Sequence, residues 1–210
     1  QQLSGKKKFS REEAIALVTD GTMIPHAPMS AQLRHAWETH GGAYGAREKI
    51  AVDVELVLNW DGSPDLKSGA PTIFLLWLFA LNGGDASLDV SLLERAPEGL
   101  SRDDAFAMFD AFKEARKRLR KLLPFPPQVP WGLVHVLRKA GEVFPVATGM
   151  YPGISLMNAN LDLEKPDLMK LTCRVGSAYV ALHELSDPPV SWSVTPIGQT
   201  DRKGLSYVTA

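Results

Sequence analysis

Apolar positions recur along this chain with two different periods, close to 3.6 residues before position 123 and close to two beyond position 170. Ser10-Arg11-Glu12-Glu13 has capping-box spacing, in which the Ser hydroxyl takes the amide three residues on and the Glu carboxylate reaches back. Ala14, Ile15, Leu17 and Val18 follow, so a first helix is predicted there, stopping near Gly21. Pro28 and Ser30 open a second, through Leu33, Ala36 and Trp37 to the Gly41-Gly42 break. A third is expected over about 46–60, before the Asp61-Gly62-Ser63-Pro64 turn. Pro71 sits well at the start of a fourth, over 72–81, which is apolar at every position after Thr72. That run is about half the ~20 residues a bilayer demands and reads as a buried helix.

Ser101-Arg102-Asp103-Asp104 begins the clearest amphipathic segment, with Ala105, Met108, Phe109, Phe112 and Leu119 in one stripe. Its later half is crowded with Lys113, Arg116, Lys117, Arg118, Arg120 and Lys121. Cations at that end favour the helix dipole, so a solvated helix end accounts for the run more simply than a phosphate-binding face or a regulatory basic helix. Pro124, Pro126, Pro127 and Pro130 then forbid helix and mark a change of architecture. Segments 171–175, 178–185 and 190–194 alternate or run through as strands, with Gly176-Ser177 and Asp187-Pro188-Pro189 as turns, and predict a three-stranded antiparallel meander. The expected organisation is a helical region over 1–123 and a strand-rich region over 124–210, an α+β class.

Charge and cysteine content narrow the function. With 23 Lys+Arg against 24 Asp+Glu, the chain lacks the basic excess of a dedicated nucleic-acid binder, and no aromatic row interleaves with basic residues. At 45% hydrophobic residues over 210 positions it can bury a sizeable core, which excludes disorder as its main state. One cysteine, Cys173, excludes an internal disulfide and a Cys-based zinc site. No Gly-rich phosphate loop, G-x-S-x-G elbow or H-E-x-x-H is present. His35 and His40 are five apart, about 140° around a helix, and make a poor metal pair.

His183 and Glu184, neighbours on a predicted strand, point to opposite faces and cannot act together. Glu184 shares its face with Ala178, Val180 and Leu182. If that face is buried, the carboxylate is either a satisfied structural group or one that orients a catalytic partner. His183 reads as structural, and Asp162, Glu164 and Asp167 as solvent contacts in a polar loop. Trp60, Trp77, Trp131 and Trp192 read as core-filling rings.

Several segments, in order, resemble the β chain of penicillin acylase-type N-terminal nucleophile hydrolases. They are Phe9-Ser10; Asn59-Trp60-Asp61-Gly62 followed by Ala70-Pro71-Thr72-Ile73-Phe74; Val129-Pro130-Trp131-Gly132-Leu133-Val134-His135; Phe144-Pro145-Val146-Ala147; Gly176-Ser177-Ala178-Tyr179; Glu184-Leu185-Ser186-Asp187-Pro188-Pro189; and Trp192-Ser193-Val194-Thr195-Pro196-Ile197-Gly198-Gln199. The resemblance implies a secreted or periplasmic amidohydrolase on a four-layer αββα core, with the strands here completing that core. It implies cleavage of an N-acyl amide in a β-lactam, an acyl-homoserine lactone or a related compound. The precursor cuts itself, and the new N-terminal Ser of the β chain attacks with its own α-amine as base, a backbone amide and an Asn holding the oxyanion.

Residue 1 is Gln, and none of Asn59, Asn82, Asn158 or Asn160 stands in the family's oxyanion context. The family's Ser-Pro-His-Tyr stretch after Gly-Gln-Ser is replaced here by Gln199-Thr200-Asp201-Arg202-Lys203-Gly204. The resemblance therefore implies the C-terminal part of a β chain, inactive alone, whose nucleophile and oxyanion Asn lie in another segment of the same processed precursor. Partners would be the other chains of that precursor and an N-acyl small molecule, with neither nucleic acid nor membrane. No cofactor is expected in this chain, while a structural calcium site elsewhere in the assembly is compatible with the family. By the same resemblance Glu184 is the candidate orienting carboxylate for a His near the nucleophile. The residues alone also fit a non-catalytic helical module that grips an acyl or peptide ligand between apolar helices.

Overall fold

A computed structural model describes residues 8–84, 89–122, 128–139, 141–149, 159–161, 171–176 and 179–194. Helix α1, Arg11–Val18, starts on the predicted capping box: the Glu13 amide donates to Ser10 Oγ at 3.2 Å and the Ser10 amide to Glu13 Oε2 at 2.9 Å. Helix α2 runs His26–His40, beginning two residues before Pro28, whose ring is tolerated in the first turn because that amide needs no intrahelical acceptor. Helix α3 is Arg47–Leu58 and α4 is Ala70–Leu81. A short α5, Ser91–Glu94, precedes the long α6, Arg102–Leu122.

The helical core forms around α4, which is buried on all sides from Ala70 to Leu78. α6 lies along it and supplies the predicted stripe: Ala105, Met108, Phe109, Phe112 and Leu119 are all buried. Trp77 stacks on Phe112, centroids 5.0 Å apart, and its indole N–H donates to the Met108 carbonyl at 2.9 Å, so its polar atom is satisfied inside the core. Trp37 of α2 meets Phe109 edge-on at 5.4 Å, closing the third side. Each fully buried Leu, Ile or Phe of this kind stabilises the fold by about 1.5–3 kcal/mol.

The strand region departs from the predicted meander. A four-stranded sheet has the order β2-β1-β4-β3, built from β1 His135–Lys139, β2 Glu142–Pro145, β3 Ala159–Leu161 and β4 Leu171–Gly176. β4 pairs parallel to β1 (His135↔Leu171) and antiparallel to β3, and does not join the strands that follow it in sequence. β5 Val180–Glu184 and β6 Val190–Val194 do pair antiparallel as expected, in a separate two-stranded sheet. The β1–β2 hairpin, absent from the sequence reading, turns at Gly141, whose φ of +80° suits a glycine. Among the described residues the chain is therefore mainly helical with two small sheets, an α+β arrangement. No described helix is long and apolar enough to cross a membrane.

One helix start is quantitatively testable. Ser101 and Asp104 cap α6 reciprocally, Asp104 N–H to Ser101 Oγ at 3.1 Å and Ser101 N–H to Asp104 Oδ2 at 3.0 Å, with Arg95 on the other carboxylate oxygen at 2.7 Å. Hydrogen bonds from Ser101, and then the Arg95 guanidinium, hold the Asp104 carboxyl below its ordinary value. A depressed native pKa stabilises the fold above the unfolded carboxylate range and loses that contribution as pH falls through the native value. Ser101→Ala is expected to lower unfolding free energy by about 1 kcal/mol at neutral pH, and by less in acid once the Asp104 carboxyl is protonated, in urea titrations.

Candidate functional site

Among the described residues, three places bring chemistry-bearing side chains together. The first is the Trp60-Asp61-Gly62 turn after α3. Asp61 Oδ1 accepts from the Ser63 amide at 2.8 Å and the Trp60 indole donates to the Ser63 carbonyl at 2.7 Å, tying the turn to itself. Gly62 has φ +86°, and its carbonyl accepts from the Met23 amide at 2.9 Å. Beneath it lies His26, only 8% exposed, edge-on to Trp60 at 4.7 Å and to Phe74 at 5.5 Å. Its Nε2 is 3.2 Å from the Val57 carbonyl, an acceptor only, so Nε2 carries the proton. His26 thus closes the end of α3 against the turn.

The second place is the β5–β6 hairpin. Glu184 stands on its exposed end and pairs with Arg11 of α1, Oε2 to Nη2 3.3 Å, both side chains about half exposed. The face it shares is not buried at this end: Val180 and Leu182 on its strand are half-buried, while the last two strand positions reach solvent. The Arg11 guanidinium also lies 4.4 Å from the Trp192 ring centroid, so α1 is clipped to the hairpin through one side chain. His183 is paired across the strands with Ser191, Nδ1 to Oγ 2.8 Å, on the opposite face from Glu184.

A third place was missed by sequence reasoning. Asp53 is completely buried, and its Oδ2 receives the Nε–H of Arg116 from α6, whose Nη1 also donates to the Lys49 carbonyl. Asp53 Oδ1 is buried without a hydrogen-bond partner among the described residues. Burial raises the Asp53 carboxyl above its ordinary range, with Arg116 opposing that shift. The signal was present: Ile50, Asp53, Val54 and Val57 follow i, i+3, i+4, i+7, which puts a carboxylate at a core position of α3.

Of the other candidates, His35 and His40 both lie on α2, Asn59 caps the C-terminus of α3 and Asn82 that of α4. Cys173 and Asn160 fall on β4 and β3, but their side chains, like all of Asn158, Asp162, Glu164 and Asp167, lie outside the described residues. No three His, Cys, Asp or Glu side chains among the described residues gather as a metal site. Lys113, Lys117 and Arg120 are exposed, as a solvated helix end requires, and with Arg116 they line a groove against α3.

An α+β chain with a self-bonded Trp-Asp-Gly turn and a strand region entered through Trp131 matches the expectation drawn from the ordered segments. Residues 1–207 match the family described as Penicillin amidase, and the chain belongs to that family, which points to an acylase-type amidohydrolase. The chain matches no curated protein sequence.

A Cβ at Gly62 would lie 3.2 Å from His26 Nδ1 and 3.3 Å from Thr22 Cγ2, on a backbone that L side chains rarely adopt. Gly62→Ala is expected to cost about 2 kcal/mol by chemical denaturation, against less than about 0.5 kcal/mol for Gly42→Ala, which meets open space.

Proposed function

We propose that this chain is the C-terminal part of an N-terminal nucleophile amidohydrolase. It would hydrolyse an N-acyl amide through an acyl-enzyme on a Ser supplied by another segment of the same processed precursor. The Ser Oγ bonds to the amide carbon while the α-amine takes its proton and returns it to the leaving amine; water then breaks the ester. The oxyanion is held by a backbone amide and an Asn of that other segment. The family match across residues 1–207 carries this reading.

The hairpin supports it. β5 and β6 form a sheet of two strands, with Tyr179, Leu185 and Val190 exposed at 64%, 94% and 40%. Isolated hairpins of this kind are marginal in water, and such strands suit the margin of a larger αββα core. In that assembly the helices buttress the substrate side and Glu184 acts as a positioning residue, orienting a His near the nucleophile. The partners are the remaining chains of the precursor and an N-acyl small molecule, and the compartment is periplasmic or extracellular.

Labelling the assembled protein with a serine-acylating inhibitor and mapping the adduct by mass spectrometry tests the assignment. A labelled Ser outside these 210 residues is expected, and a label inside them overturns it. Glu184→Gln should lower kcat about tenfold with little change in KM and shift the pH–rate profile, with Glu184→Asp recovering most of the loss. Unchanged kcat and pH profile in Glu184→Gln would remove Glu184 from that role.

A further inference from the structure

α6 carries two adjoining stripes. One is the apolar row that packs on α4. The other, one residue further round, is Lys113, Arg116, Lys117 and Arg120, an i, i+3, i+4, i+7 row that shares one face. This second row meets the first turn of α3, where Lys49 is added, and between the two helices lies a groove of about 480 Å³ with Ile50 in its wall. Grooves of that volume hold small organic ligands.

The dipole argument that explains cations at the end of α6 fails for Lys49, because the first turn of a helix disfavours positive charge. Neutralisation is also incomplete. Arg116 has Asp53, Lys113 has Asp110 and Lys117 has Glu114 at 3.4 Å, but Lys49 and Arg120 have no carboxylate among the described residues. Arg116 differs from its neighbours in being held: the buried Asp53 carboxylate and the Lys49 carbonyl fix two of its nitrogens. A guanidinium oriented by a buried carboxylate, with unmatched cations around it, is an arrangement that recognises oxyanions.

We propose that the groove between α3 and α6 binds a phosphate monoester, with Arg116 as the fixed anchor and Lys49, Lys117 and Arg120 closing on the phosphate. Two unmatched positive charges correspond to one phosphate monoester, which carries about −1.5 to −2 at neutral pH. The organic part lies along Ile50 and the alkyl stems of the lysines and arginines. The site stands apart from the hydrolytic reading and does not depend on it.

Isothermal titration of the purified protein with glycerol 3-phosphate, at constant ionic strength and with glycerol as the uncharged control, tests this. Saturable binding is expected, weakened at least about tenfold in the double variant Lys49→Ala/Arg120→Ala. Both side chains are exposed and without an ion-pair partner among the described residues, so the variant is expected to keep the wild-type circular dichroism and melting temperature. Absence of saturable binding in the wild-type protein, or equal affinity in a folded double variant, overturns the proposal.

Discussion

The arrangement rests on one demand: α4 is apolar all the way round and has to be covered on every side. An amphipathic helix can face water along one stripe, and α4 cannot. α6 covers it along most of its length, with the Trp77 and Phe112 rings in register. α2 and α3 complete the wall, α2 through the His26 ring against Phe74 and α3 by packing directly on α4. The Trp77 indole could have left a buried donor unmatched, and the Met108 carbonyl removes that penalty. Around this packed helix the remaining elements take positions that polar groups then refine.

Those polar refinements are unequal. Tyr44 donates to Asp110 at 2.6 Å, while Asp110 and Tyr44 together raise the pKa of Lys113 and keep its ammonium charged. This network is half in solvent and contributes modestly, as surface ion pairs do. The pair between Asp53 and Arg116 is different, because one partner has no contact with water. Removing either member would strand a charge, whereas a matched apolar pair could fill the same space at little loss. Retaining an ionic pair there is weak evidence for stability and better evidence for holding the guanidinium in one orientation.

Helices were legible because their period is local and their caps are written in adjacent residues. The Ser10 and Ser101 caps, the Pro71 start and the core stripe of α6 all appear where spacing placed them. Strand partners were legible only for β5 and β6, which a short turn joins; elsewhere a period of two says which face a residue takes and nothing about its neighbour. Hence β4 was placed beside β5 and lies instead between β1 and β3. The Gly141 hairpin was hidden behind the prolines before it, which read as irregular chain. Glu184 shows the same limit: alternation placed it among apolar residues, but whether that end of the strand is covered is not written in a local pattern, and it ends in solvent. Asp53 was readable as a carboxylate in a core stripe, yet its partner lies 63 residues away, beyond any local pattern.

Trp131 joins the two halves of this chain. Its amide donates to the Ser68 carbonyl at 2.8 Å, the Gly132 amide to Leu66 at 2.9 Å, and its ring stacks on His135 at the head of β1 while its indole reaches Thr148. The segment leading into the central helix and the first strand of the sheet are thus bolted to a common post. A displacement of the first strand is therefore felt at the segment leading into the central helix through those contacts. Among the described residues this ring and its two peptide groups are one such connection, and the Arg11 clip between α1 and the β5–β6 hairpin is another.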